Sequence, residues 1–221
     1  MGRMKRRNSQ GQTFIEFLFV LLWAVPFFLL TIALGINLIS GLEVIQLARD
    51  TASMFARNTD FTTNPSKAIL DQIGNGLNLK TTDSTNSKAV IILSQLTYMD
   101  ATCSAAVASG CGCGNPNQWV FTQYQILPAA MSNIATQSTY GNPAALVSSG
   151  TTIPMCTAST NGAAVATNFS ARGITSWSTT GPSGYGIPSG LGVYMVEVTA
   201  LGYPVPGLLA SPVKLYNYAI F

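Results

Sequence analysis

Residues Phe14 to Leu42 form an almost unbroken apolar run, interrupted by Glu16, Asn37 and a few small polar residues. A stretch of about 20 such residues is long enough to cross a bilayer. After Gly41 the pattern changes without stopping. In LEVIQLARDTASMFARN, apolar residues return at Leu42, Ile45, Ala48, Ala52 and Phe55, while Glu43, Gln46, Arg49, Asp50 and Arg57 fill the other faces. This predicts one helix from about Gln12 to Asn58, apolar all round at first and amphipathic later. At 1.5 Å per residue it would be roughly 70 Å long, more than twice a hydrocarbon core. Pro26 lies within it and should kink it, because proline lacks an N–H and crowds the preceding turn. The half beyond the membrane needs a folded body to pack against.

That body reads as mostly strands. Asn64-Pro65 looks like an N-cap followed by proline at the first helical position, predicting a short helix from Pro65 to about Leu79 that Gly74 and Gly76 weaken at its end. The period then changes. Ala89 to Met99, Gln118 to Leu127 and Gly192 to Tyr203 are rich in β-branched and aromatic residues, and KLYNYAIF at the C-terminus is a fourth strand candidate. Between the second and third strands, residues 132–189 are rich in Gly, Ser, Thr, Asn and Pro and show no clear period. Loops of such length are usually functional or mobile. The fold class expected is α+β: a long N-terminal helix packed by its outer half on an antiparallel sheet, with no internal repeat.

Charge sharpens the membrane reading. Only 9% of the 221 residues are charged, against roughly 25% in an ordinary soluble domain. The formal +3 is local: Arg3, Lys5, Arg6 and Arg7 all precede Gly11, and without them 7 basic residues face 8 acidic ones. Basic residues on the N-terminal side of the apolar run place residues 1–11 in the cytoplasm and the body outside it. The folded body carries no net positive charge, so nucleic acid is not an expected partner. Four cysteines, Cys103, Cys111, Cys113 and Cys156, suit an oxidising compartment.

Glu16 at the mouth of the apolar run raises three readings. The first is a plain signal anchor that tolerates an acid near its end, where a charge costs far less than at the centre. The second is a secretory signal peptide cut after Ala33-Leu34-Gly35, giving a mature chain that starts near Ile36; against it, the apolar run exceeds the usual 7 to 15 residues or so and continues as an amphipathic helix. The third accounts for every feature. KRRNSQG followed by QTFIEF resembles the class III leader of type IV pilins and pseudopilins. The resemblance implies that a prepilin peptidase cuts between Gly11 and Gln12, leaving Glu16 as the fifth residue of the mature chain. A glycine, lacking Cβ, allows close approach to the backbone at such a cut. It also implies that Glu16 of an incoming subunit pairs with the new α-ammonium on Gln12 of its neighbour, because a carboxylate in lipid needs a partner.

Within that superfamily the sequence is most similar to the TadE-like minor pseudopilins of tight-adherence (Flp) systems. Gly11-Gln12-Thr13, Glu16-Phe17, the run LFVLLWAVPFFLL and the alanine- and arginine-rich QLARDTASMFARN carry the likeness, with VYMVEVTALGY followed by PVPG adding to it. It is good over residues 5–58 and diffuse beyond. Gln12 is polar where the family often has an apolar first residue, and the mature chain is far larger than the small major Flp pilin; both point to a minor component. The domains implied are a leader at 1–11, a helix at 12–58 that spans the membrane to about residue 42, and an extracytoplasmic α+β domain at 59–221. The partners implied are other pilin subunits, the prepilin peptidase and an inner-membrane assembly platform. The protein would reside in the inner membrane before assembly and in a surface filament after it.

No constellation for chemistry emerges. The acids stand singly, and no histidine exists to activate a serine or bind a metal. GCGCG at Gly110 to Gly114 lacks the Lys-Ser/Thr of a phosphate loop, and CGCG lacks the two-residue spacer of a zinc knuckle. Disulfides are the stronger reading. A Cys111–Cys113 bridge is awkward across one residue, so Cys156 is expected to pair with Cys111 or Cys113, and Cys103 with the other. SGYGIPSGLG at Ser183 to Gly192 reads as a turn-rich loop. The sequon at Asn168 is as easily chance as design. Trp119, Tyr124 and Tyr194 are core candidates, and Trp177 the likeliest aromatic to be exposed. A structural, non-enzymatic subunit without cofactor is expected, in an assembly, tip or adhesion role. The alternatives are a permanent single-pass scaffold of a secretion machine and a secreted binding module.

Overall fold

The computed structural model describes residues 10–129, 131, 134, 137–147, 151–169, 190–204 and 211–221, with side chains from Phe14 onward. The basic cluster before Gly11, the side chain of Gln12, Trp177, most of Ser183 to Gly192 and much of 132–189 lie outside these. The chain divides into two compact units, Met1–Ile39 with Gly202–Val213, and Ser40–Leu201 with Lys214–Phe221.

Helix α1 runs from Gln10 to Ala56 with Pro26 inside it. In the second unit its buried residues are Val44, Leu47, Ala48, Thr51, Ala52 and Phe55. The buried stripe therefore begins at Val44, whereas the sequence pattern began it at Leu42, which is 54% exposed. Leu42 and Ile45 are apolar but lie off the face that meets the sheet. Arg57 and Asn58 follow the helix, and Asn58 takes a positive φ of 64°, a conformation asparagine tolerates better than most residues.

The short second helix, α2, spans Asn64–Ile73. Thr63, not Asn64, is its N-cap: Lys67 N–H donates to Thr63 O at 3.2 Å, closing the first helical turn. Pro65 then occupies the first turn, where its missing N–H costs nothing. The helix stops at Gly74, and a separate 3-10 turn at Asn75–Leu77 completes what the sequence suggested as one element.

Four strands follow: β1 at Ala89–Met99, β2 at Gln118–Leu127, β3 at Gly192–Leu201 and β4 at Lys214–Ile220. They form one fully antiparallel sheet in the order β2-β1-β3-β4. β1 is central and buried along nearly its whole length, which explains its run of Val, Ile and Leu. One face carries Ile91, Leu93, Val196, Val198 and Ala200 and packs beneath α1 with Leu70, Leu77 and Leu79. The other carries Val90, Ile92, Leu96, Val193 and Met195 and is covered by the connections that follow β1 and β2. At roughly 1.5–3 kcal/mol for each fully buried large apolar side chain, both faces are needed to hold so long a strand in the middle.

The β1–β2 register slips once, between Gln95 and Leu96. Leu96 faces Phe121 and Ser94 faces Tyr124, so Phe121 and Tyr124 share a face although three positions apart. Their rings meet edge-on at 5.8 Å. Two further short helices, α3 at Ser104–Ala108 and α4 at Met155–Thr160, lie in the covering connections. An apolar N-terminal helix whose outer part packs on a four-stranded antiparallel sheet is a pilin-like architecture.

Candidate assembly surface and outer loops

The first candidate surface is α1 ahead of Ile39. Phe14, Phe19, Trp23, Phe27 and Phe28 are between 63% and 77% exposed, and Leu22, Leu34 and Leu38 are similarly bare. An apolar face this continuous is far beyond what a soluble monomer shows and requires a lipid or protein neighbour. Phe19, Trp23, Phe27 and Leu30, spaced by one helical turn, line a shallow depression next to Pro26. Pro26 deprives the Leu22 carbonyl of its helical donor. Thr31 turns its hydroxyl inward and donates to Phe28 O at 2.8 Å, so this polar side chain is satisfied within the helix. Glu16 projects from this surface near its start and is 16 residues before Ile32, on the same apolar run.

Asn37, which the sequence offered only as a polar interruption, has a defined role. Its Oδ1 accepts from Tyr203 N–H at 2.8 Å and its Nδ2 donates to Tyr203 O at 3.2 Å. One side-chain amide thus satisfies both polar groups of one residue's backbone. Gly202, beside it, donates its N–H to Val213 O at 2.7 Å. A Cβ on Gly202 would press on Asn37 Oδ1, so glycine leaves room for the carboxamide in its hydrogen-bonded position.

The second candidate region is built around the cysteines. Cys103 is bonded to Cys113 and Cys111 to Cys156, with Cα separations of 5.4 and 4.8 Å. Asp100 starts this region by capping α3: its Oδ1 accepts from Ser104 N–H at 2.9 Å and Thr102 N–H at 3.0 Å, and its Oδ2 from the Ser104 hydroxyl at 2.6 Å. Those hydrogen bonds, Ser104's above all, lower the Asp100 carboxyl below its ordinary range. Hydrogen bonds run beside the second disulfide. Gly114 and Asn115 N–H both donate to Ser159 O at 2.9 Å, and Asn115 Nδ2 donates to Ala158 O and Asn161 O at 2.9 and 3.0 Å. A Cβ on Gly114 would lie 3.0 Å from the Thr160 backbone, which explains a glycine after the last cysteine of the CGCG run.

A third polar node lies beneath the covering layer. Glu197 is 1% exposed, and its Oε1 accepts from Thr139 N–H at 3.0 Å, the Thr139 hydroxyl at 2.6 Å and Tyr216 O–H at 2.8 Å. Its Oε2 has no hydrogen-bond partner among the described residues. Burial, and then the adjacent Glu197 carboxylate, push the Tyr216 phenol far above its ordinary value. Burial likewise pushes Tyr124 up to about 12. Tyr140, Phe169 and Tyr218 surround the node with edge-on ring contacts at 5.7 and 5.8 Å. This is a fastening of residues 138–141 to the sheet. Among the described residues no three His, Cys, Asp or Glu side chains converge to hold a metal.

Of the residues singled out from sequence, the structure joins the four cysteines in two pairs and places Trp119 and Tyr124 in the core, with Tyr194 half-buried against Phe55. Gly11 and Gln12 fall in the first turn of α1. Asn168 donates its side-chain N–H to Thr139 O at 3.0 Å, a structural use of the sequon residue. Sequence reasoning missed Asn37, Asp100, Asn115 and Glu197. Comparison with known proteins finds no family model, no curated protein and no solved structure that matches the chain.

Proposed function

We propose that the chain is a structural subunit of a type IV or tight-adherence pilus, processed by a prepilin peptidase and resembling the TadE-like minor pseudopilins. One observation carries the reading: α1 is a single helix whose first half is bare and apolar while its second half is buried against the sheet. Such a helix has a bilayer as one environment and neighbouring copies of the same helix as another. Cleavage between Gly11 and Gln12 would leave Glu16 five residues in, opposite the new ammonium of a neighbouring subunit. The subunit would wait in the inner membrane, engage the assembly platform and leave with the filament. The disulfide-linked loops would then face the outside, in an assembly, tip or adhesion role. No catalytic step is assigned to it.

The test is the N-terminus of the protein isolated from its native cells, by intact mass and terminal peptide sequencing. A chain that begins at Gln12 is the expected result. A chain still beginning at Met1 would overturn the pilin pathway in favour of a permanent scaffold, and one beginning near Ile36 would indicate a secreted module.

A further inference from the structure

The apolar run from Phe14 to Leu42 is longer than a bilayer needs: its 29 residues would span about 43 Å, against a hydrocarbon core of about 30 Å. Composition alone leaves open which part lies in lipid. The pairing of Asn37 with Tyr203 decides it. We infer that Asn37 and the backbone of Gly202 and Tyr203 form a collar at the outer headgroup boundary, and that the embedded span is Phe17 to Ile36.

The first argument is polar satisfaction. The chain at Gly202–Tyr203 is non-helical backbone laid against α1, with Tyr203 and Pro204 exposed. Irregular backbone facing lipid does not occur within the hydrocarbon region. Every residue of α1 from Asn37 outward must therefore lie at or beyond the interface. Asn37 meets the Gly202–Tyr203 backbone on one side of α1, while Leu34, Leu38 and Ile39 beside it stay exposed, so the collar leaves the rest of the helix bare.

The second argument is length. Glu16 and Asn37 are 21 residues apart, about 31 Å along a helix, which is one hydrocarbon thickness. With Asn37 held at the outer boundary, Glu16 reaches the inner one, where an acid is tolerated. Glu16 and Asn37, the two large polar residues of the run, thus frame the span.

The third argument is chemical. Tyr203 is 58% exposed beside the collar. Tyrosine is enriched at headgroup level, where its ring is apolar and its hydroxyl stays wet. Pro204, exposed next to it, adds no charge that would repel this surface from lipid. The occupant of this surface is the outer leaflet of the bilayer.

This inference rests on the proposed membrane stage of the protein, and the experiment separates the two. The full chain with Tyr203→Cys, labelled with a nitroxide, is reconstituted in phosphatidylcholine and phosphatidylglycerol vesicles, alongside labels at Ala24 and Ser84. Asn37 bonds to the backbone N–H and C=O of Tyr203, which the substitution retains. Disulfide mapping of each variant confirms that Cys103–Cys113 and Cys111–Cys156 are undisturbed. Paramagnetic quenching by oxygen and by a water-soluble nickel chelate gives depth. The label at 203 is expected within about 5–10 Å of the headgroup level, that at 24 near the bilayer centre and that at 84 in water. Asn37→Leu should leave the chain floating with vesicles while the 203 label becomes more mobile and moves into water. A 203 label that matches 84 in a floating chain overturns the collar alone. An unchanged 203 depth in Asn37→Leu does the same. A chain that fails to float overturns the membrane stage as well.

Discussion

Glu197 on β3 accepts both the backbone N–H and the hydroxyl of Thr139, at 3.0 and 2.6 Å, from a residue 58 positions away. A third donor, Tyr216 on β4, reaches the same oxygen. The two from Thr139 fasten the connection after β2 to β3, and the one from Tyr216 ties neighbouring β4 to the same carboxylate. Replacing Glu197 with alanine removes the acceptor from three donors and opens a cavity in the packed face. The expected cost is about 3 kcal/mol in unfolding free energy, measured by urea denaturation of the full chain in detergent. Tyr216→Phe removes one of the three and should cost only about 1 kcal/mol. The double variant should then cost little more than Glu197→Ala alone, because both changes break the same node. Additive losses would show that Tyr216 acts elsewhere.

Desolvated phenol hydroxyls should be visible on the alkaline side. Tyr124 is held neutral up to about 12 by burial, against an ordinary value near 10. Its folded value is raised, so its contribution to stability is complete below about pH 10 and is lost as pH rises through 12. Ultraviolet titration should show a late phenolate step that Tyr124→Phe removes in part, Tyr216 supplying the rest. A single step at the ordinary value with the fold intact would contradict the burial of Tyr124 and the desolvation of the Tyr216 hydroxyl beside Glu197.

On the acid side the turn aspartates should dominate. Asp100 is lowered chiefly by the Ser104 hydroxyl and N–H, Asp60 by Thr62 and Asp83 by Asn86. A depressed carboxyl stabilises the fold above its unfolded value of about 3.9, and this is lost as pH falls through the folded value. Thermal unfolding followed from pH 6 or so downward should therefore show stability falling below about pH 4. Asp100→Asn should lower stability at neutral pH and flatten part of that fall. An unchanged acid profile would mean that the cap on α3 contributes nothing.

The cysteine pairing makes a discrete prediction. Cys156→Ser should leave one free thiol, on Cys111, with Cys103–Cys113 intact, as read by alkylation and mass spectrometry of the unreduced protein. Losing a bridge that spans 45 residues should destabilise by about 2–4 kcal/mol. The hydrogen bonds of Asn115 to Ala158 and Asn161 should keep the two segments near one another, so the variant should still fold. Gly114→Val, which forces a side chain onto the Thr160 backbone, should disturb these contacts and lower the yield of Cys111–Cys156 while sparing Cys103–Cys113.

The strands were legible because β1, β2 and β3 are dense in β-branched and aromatic residues, as a sheet buried on both faces demands. The long helix was legible because apolar residues keep recurring at helical spacing from Phe14 to Phe55, first on every face and then on one. Its buried face was harder to read, since Leu42, Val44, Ile45 and Leu47 are all apolar and only the sheet selects among them. The N-cap moved from Asn64 to Thr63 because both are good capping residues and the first hydrogen bond decides. Helices α3 and α4, at five and six residues, are too short to show a period. Asn37 and Glu197 were illegible for a different reason. Their partners lie 166 and 58 positions away, so nothing local marks them.

Glu16 carries the last prediction. It stands at the start of a bare apolar surface, and in a filament that surface would face other copies of the helix. If Glu16 pairs with the Gln12 ammonium of a neighbour, the pair forms only after cleavage and only between subunits. Glu16→Ala should therefore leave insertion unchanged, since it removes a charge from an apolar segment. Filament incorporation should fall by about tenfold or more, the effect of losing one charge-assisted hydrogen bond of roughly 1.5–3 kcal/mol. Glu16→Asp should recover part of it, because the charge is retained at shorter reach. The measurement is the ratio of the variant in sheared filament and membrane fractions of the native cell, with wild type as reference. Glu16→Ala incorporated as well as wild type would sink the ammonium pairing and leave the acid as a tolerated interface residue.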